Sequence, residues 1–200
     1  MRKVYLVAQI DENLCIGDKI CENICVSKAI KVIDKKAVVD ENKCVSCARC
    51  QDACPRAAIE MVSRAEPLLL AVNTAEVDQN KLKEICDRAH LEMEDIICQC
   101  TSTTAKEAAA AILKGAKSPE EVTLMTGIRS ACSMWCIAPV FRLFKAYGIE
   151  LPPSDGYRWY NIAPALWDVS EDVARKYPKY RIGEDKKLLQ EGVFHTITRL

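Results

Sequence analysis

The sequence predicts an α+β chain, and three observations carry that reading. Over residues 1–64 short apolar, β-branched stretches alternate with brief helical turns, in a pattern that occurs twice. Between residues 100 and 150 helix-start signals dominate instead. A linker-like run, Pro152-Pro153-Ser154-Asp155-Gly156, then sets off an aromatic-rich end. These features divide the chain into residues 1–64, a connector at 65–94 that holds an amphipathic helix, a small all-α helix-turn-helix domain at 95–150, and an extension at 151–200.

The first segment is a repeat. DENLC at 11–15 returns as DENKC at 40–44, and each copy closes on Ala-Ile, at 29–30 and 58–59. Each copy reads as an apolar strand, a cysteine loop, a turn of helix and a second strand: VYLVAQI and IKVID in the first, KAVVD and IEMVS in the second. That is a duplicated β-α-β unit. After Pro67 comes a strand-like LLLAV, and then Leu82, Ile85, Cys86 and Ala89 fall at i, i+3, i+4 and i+7 of an amphipathic helix. Cys86, on the apolar face, reads as a small buried hydrophobe, and His90 as a helix-end residue. Thr104 with Glu107 and Ser118 with Glu121 read as capping boxes, with Pro119 at a first helical position and Gly115 and Gly127 as stops. A third helix starts near Pro139 and ends before Gly148, and a last one covers Glu171 to Lys176.

Half of the residues are hydrophobic, enough for a buried core. The 28 basic and 28 acidic residues cancel, with no basic stripe for a nucleic-acid backbone. The N-terminal apolar stretch is too short for a signal peptide, and no 18-residue apolar run offers a membrane span, so a cytoplasmic protein is expected. In a reducing compartment 12 cysteines at short spacings point to metal ligands or redox groups rather than disulfides.

Cys44-x-x-Cys47-x-x-Cys50-x-x-x-Cys54-Pro55 has the spacing of thiolates that hold cubane iron–sulfur clusters. The first copy repeats it as Cys15, Asp18, Cys21 and Cys25, with Asp18 in the slot of Cys47. Residues 1–64 therefore resemble the bacterial two-cluster ferredoxins. The resemblance implies that ligands cross over: Cys25, Cys44, Cys47 and Cys50 on one 4Fe-4S cluster, and Cys15, Cys21 and Cys54 on the other, with Asp18 facing its fourth iron. A carboxylate grips iron more weakly than a thiolate. Asp18 then either ligates a 4Fe-4S cluster, shares a labile corner with water, or leaves a 3Fe-4S cluster; the alternative is a solvated loop residue. Val26 stands where the family has proline. Structural zinc would need two ligand pairs, which this spacing does not supply.

Cys98-Gln99-Cys100 and Cys132-x-x-x-Cys136 are separated by 31 residues. This resembles the 2Fe-2S domain of bacterioferritin-associated ferredoxin over residues 95–148, although the closing pair there is C-x2-C. Zinc on four cysteines is the alternative. Domains of this kind accompany flavin-dependent dehydrogenases for amino acids, opines and glycerol phosphate. The resemblance thus implies an FAD-containing dehydrogenase subunit, acting on an amine, amino acid, opine or similar small substrate, as partner in a hetero-oligomeric complex. With no nucleotide loop and no nucleophile-base set, the chain reads as a non-catalytic electron-transfer subunit of an oxidoreductase. The near balance of charge over residues 1–65 favours a bound subunit over a free carrier. Tyr157, Trp159, Tyr160, Trp167, Tyr177, Tyr180 and Phe194 suit either packing on the chain's own domains or a clasp on the partner. Two rival readings are an iron-handling or iron/oxygen-sensing protein with a labile cluster at Asp18, and an enzyme binding substrate at that corner.

Overall fold

A computed structural model describes residues 2–133, 135–151, 166 and 169–190. The first module has the order β1 (Arg2–Ile10), α1 (Ile20–Ile24), β2 (Ile30–Ile33), β3 (Lys36–Val39), α2 (Arg49–Ala53) and β4 (Ile59–Leu70). Strand, helix, strand occurs twice, but the strands of one copy do not pair with each other. β1 pairs antiparallel with β4, from Ile10↔Ile59 to Arg2↔Leu70, and β2 pairs antiparallel with β3. The inner hairpin turns on Asp34 and Lys35, both left-handed (φ 49° and 62°), as a tight two-residue turn between twisted strands requires. β4 runs beyond residue 64, and its Pro67 falls between Leu6↔Ser63 and Val4↔Leu68, where the register shifts and no ladder donor is missed.

The second module contains α3 (Gln79–Arg88), β5 (Ile96–Cys98), β6 (Thr103–Thr104), α4 (Ala105–Leu113), α5 (Pro119–Thr126) and α6 (Ile137–Tyr147). It is not all-α: β5 and β6 pair antiparallel, and the turn between them carries Cys100. Asp78 accepts from the amides of Asn80 and Lys81 to start α3. Thr104 and Glu107 close a reciprocal capping box on α4. At α5 the box opens one residue wider, because Ser118 accepts from the Glu121 amide while the Glu121 carboxylate accepts from Lys117 N at 2.6 Å. Six consecutive-turn residues of α4, Ala105, Ala108, Ala109, Ala110, Ala111 and Ile112, are buried, so α3, α5 and α6 approach it closely on every side. Leu82, Cys86, Val122, Val140, Leu143 and Phe144 fill the space around it.

A small apolar cluster joins the modules. Val4, Val26, Val45 and Leu70 are buried together, with Cys47, Leu68 and Leu124 of α5 packed against them. Val26, the residue that replaces proline, is thus a seam residue. Gly127 caps α5 in a left-handed conformation (φ 79°), and Arg2 crosses it so closely that an added Cβ would stand 3.2 Å from Arg2 Cδ. The Arg2 guanidinium donates to Ser130 Oγ.

Residues 162–200 form a separate unit. Its α7 (Glu171–Lys176) begins at the Ser170 cap and is followed by a short turn at Pro178–Tyr180 and α8 (Ile182–Gln190), which the sequence analysis did not anticipate. Tyr177 and Tyr180 are exposed and meet edge to face. The linker at 152–156 and Tyr157, Trp159, Tyr160, Trp167 and Phe194 lie outside the described residues.

Cys86 has no exposure, and burial pushes its thiol up to about 11 from an ordinary 9.0. Folding therefore holds the proton that an unfolded thiol releases near 9, and this contribution, present below pH 9, is lost as pH rises through about 11. Cys86 should resist alkylation at neutral pH in the folded chain and react on unfolding, as peptide mass spectrometry would show. Cys86→Ser, which buries a hydroxyl, should cost about 1–3 kcal/mol in urea unfolding.

Candidate metal centres

The cysteine loops are wound by left-handed residues that recur with the 29-residue repeat: Gly17 and Ser46 (φ 71° and 57°), Lys19 and Ala48 (65° and 57°), Lys28 and Ala57 (54° and 50°). Non-glycine residues pay roughly 1–2 kcal/mol for this conformation. Alternating handedness turns successive amides inward, making a concave site for an anion. Ala29 N donates to Cys25 Sγ at 3.2 Å, and its counterpart Ala58 N donates to Cys54 Sγ at 3.4 Å. Ala37 N donates to Cys15 Sγ at 3.4 Å.

Two sets of side chains gather in this module. Cys15, Asp18, Cys21 and Cys54 line one cavity, which encloses about 350 Å³ counting its open mouth; Ile10, Val32 and Ile59 form its apolar wall. Burial pushes the Cys21 thiol up to about 11, against the pull of the Glu22 amide, and the charges of Asp18 and Cys15 add to the rise. The other set is Cys25, Cys44, Cys47 and Cys50. Burial pushes the Cys50 thiol up to about 12, with Cys47, Cys25 and Cys44 adding like charge, and Cys47 is raised by the same causes. In each set one sulfur comes from the other copy: Cys54 joins the first, Cys25 the second.

Asp18 is exposed, and its Oδ1 accepts from Ile20 N at 3.0 Å. Cys47 takes the same contact from the Arg49 amide, two residues on. The carboxylate thus does for the first loop what the thiol does for the second. Gly17 before it has no room for a side chain, since an added Cβ would stand 2.5 Å from the Lys35 carbonyl oxygen.

In the helical module Cys98 and Cys136 are buried while Cys100 and Cys132 are exposed. Cys100 Sγ lies 3.4 Å from Cys132 Sγ. The contact between Cys98 and Cys136 lowers the Cys98 thiol and raises that of Cys136, and burial adds to the latter rise. Thr101 and the Arg129 amide also donate to Cys98, and the Arg129 charge favours the thiolate of Cys136, which begins α6. Sequence reasoning missed Arg129. Its one signal was a lone basic residue three positions before Cys132. His90 is exposed just past the end of α3, with a left-handed backbone (φ 54°).

Among the described residues no three His, Cys, Asp or Glu side chains meet closely enough to hold a single metal ion. Ligands of a cluster bind different irons and need not converge on one point. The three sets supply soft donors for that arrangement, except at Asp18.

Comparison with known families agrees with this chemistry. Residues 37–60 match the family model for a 4Fe-4S binding domain, and residues 96–146 match that for a BFD-like [2Fe-2S] binding domain. The chain is an iron–sulfur protein. The 4Fe-4S match covers the second copy only, without the copy that holds Asp18 and Val26. No curated protein and no solved structure matches the chain. Among the described residues no helix is long and apolar enough to cross a membrane.

Gly17→Ala should combine a strained φ with a backbone clash. We expect it to destabilise the fold by more than about 1–2 kcal/mol and to deplete the metal content of the first loop while the 2Fe-2S signal persists. Iron analysis and low-temperature paramagnetic resonance would read both.

Proposed function

We propose that this chain is the iron–sulfur electron-transfer subunit of a flavoprotein dehydrogenase complex acting on an amine, amino acid, opine or similar small substrate. One 4Fe-4S cluster would be held by Cys25, Cys44, Cys47 and Cys50. Cys15, Cys21, Cys54 and Asp18 would hold a second cubane, and Cys98, Cys100, Cys132 and Cys136 a 2Fe-2S cluster. Such clusters pass single electrons without transferring atoms. The observation that carries the reading is the continuity of the two modules: Leu124 of α5 packs into the apolar seam that also takes in Cys47 and Val45. The all-cysteine set therefore adjoins the helical module. No residue beyond Ile59 lines the cavity of the Asp18 set. That ordering supports a relay in which the four-cysteine set would stand in the middle.

The chain's own groups serve transfer by holding sulfurs rigidly and keeping water away. Buried Cys21, Cys25, Cys44 and Cys50 anchor the inner side, and the amides of Ala29, Ala37 and Ala58 stabilise thiolate charge. Exposed Trp135, next to Cys136, and exposed Cys100 and Cys132 leave the 2Fe-2S end open to a partner. Purification of the native protein under anaerobic conditions should bring down a flavin-binding chain, and substrate reduction of that flavin should bleach the clusters. A chain that purifies alone would turn the reading towards iron handling or sensing, which the exposure of Asp18 favours.

Asp18→Cys should make the first cluster a 4Fe-4S centre that resists mild oxidation. In the parent, oxidation should yield a 3Fe-4S form with its own paramagnetic signal. Equal resistance of the two proteins would remove Asp18 from ligation.

A further inference from the structure

Glu120 and Arg129 form an ion pair inside the helical module, with Arg129 Nη1 4.0 Å from Glu120 Oε1 and side-chain exposures of 6% and 3%. Both carboxylate oxygens of Glu120 are buried and accept no hydrogen bond among the described residues. At 4.0 Å the contact is an ion pair without hydrogen-bond geometry. Desolvating two charges for so loose a contact is a poor way to stabilise a fold, and apolar residues of the same size would serve better. The pair calls for another reason, and its surroundings supply one.

Arg129 lies three residues before Cys132 and is held from several sides. Its backbone is left-handed (φ 67°), and its amide donates to Cys98. The next residue, Ser130, is buried, accepts from the Arg2 guanidinium, and donates to the Gly127 carbonyl at 2.5 Å. The guanidinium faces Glu120, and its positive charge favours the thiolate of Cys136. A buried cation, paired with a buried carboxylate, thus sits on the residue whose amide holds Cys98.

We propose that Glu120 is a positioning residue that holds the Arg129 guanidinium inside the helical module, and that this buried pair tunes the reduction potential of the 2Fe-2S site. The proposal rests on the reading that Cys98, Cys100, Cys132 and Cys136 hold the cluster. Reduction adds one negative charge there. A buried cation stabilises the reduced form and raises the potential, and a buried carboxylate opposes it; in a medium of low dielectric both act strongly. The pair is a built-in offset whose net effect depends on both charges and their distances.

The test uses the full chain, prepared anaerobically, with iron and sulfide content, the paramagnetic spectrum of the reduced protein, and potentiometric titration of the 2Fe-2S signal. Glu120→Gln should raise the potential so that the ratio of reduced to oxidised cluster grows about tenfold at a fixed potential, which for one electron is about 59 mV. Arg129→Gln should lower it. Because that variant leaves a buried carboxylate without its counter-charge, the double variant Glu120→Gln with Arg129→Gln is the safer probe, and its potential should return towards the parent's. Arg129→Lys should keep most of the parent value. Unchanged potentials in variants that retain the cluster overturn the proposal, as does loss of the cluster from every variant, which would make the pair a determinant of folding instead. A 2Fe-2S signal that survives Cys98→Ser would overturn the underlying site assignment, a separate result.

Discussion

Each copy of the repeat gives away one cysteine. Cys25 leaves the first loop to stand with Cys44, Cys47 and Cys50, and Cys54 leaves the second to stand with Cys15 and Cys21. Neither copy can complete a set alone, so the two must fold as one body. The strand pairing obeys the same demand: β1 of the first copy takes β4 of the second, and α1 contacts α2. Gathering thiols in this way is costly, since burial and mutual repulsion raise Cys21, Cys47 and Cys50 and disfavour their charged forms. In the proposed arrangement, iron that replaced those protons would turn the cost around and would make metal binding and folding of this module one equilibrium.

The seam extends that coupling to the helical module. Val26 follows Cys25 directly, and Val45 follows Cys44; both are buried against Leu70 and Val4, with Leu124 completing the cluster. The residues that place sulfurs in the second set are therefore also those that the helical module packs upon. Proline at 26 would fix the turn but supply less apolar surface for the seam. In the proposed relay, packing and ligation share the same short segments, so relative motion of the modules is limited where transfer between them would occur.

The repeat and its cysteine sets were legible because the spacing is local and occurs twice. The antiparallel pairing of outer strands was not, because the alternation within a strand does not say which strand lies beside it. The β5–β6 hairpin escaped notice since three and two residues are too few to show a period, and α8, rich in charge, presents a weak apolar stripe. α6 begins at Ile137, two residues ahead of the expected start, directly after Cys136, whose backbone is already helical. Arg129 showed only as a lone basic residue before Cys132, and its pairing with Glu120 left no trace, since a buried ion pair between positions nine apart follows from tertiary packing alone. Of the aromatics considered for a clasp, Tyr177 and Tyr180 are described and exposed, and the other five lie outside the described residues.

In the proposed site, Asp18 shows how a ligand position could change without changing the fold. The slot makes two demands, one on the backbone and one on the metal. Its backbone demand is an acceptor for the amide two residues on, and Asp18 meets it for Ile20 as Cys47 does for Arg49. Oxygen and sulfur are equivalent there, so α1 and α2 start alike, each after a left-handed residue. They are not equivalent towards iron, where a hard, hydrated carboxylate competes with water and a soft thiolate does not. Substitution at this one slot leaves the cage built while loosening a single corner of what the cage would hold.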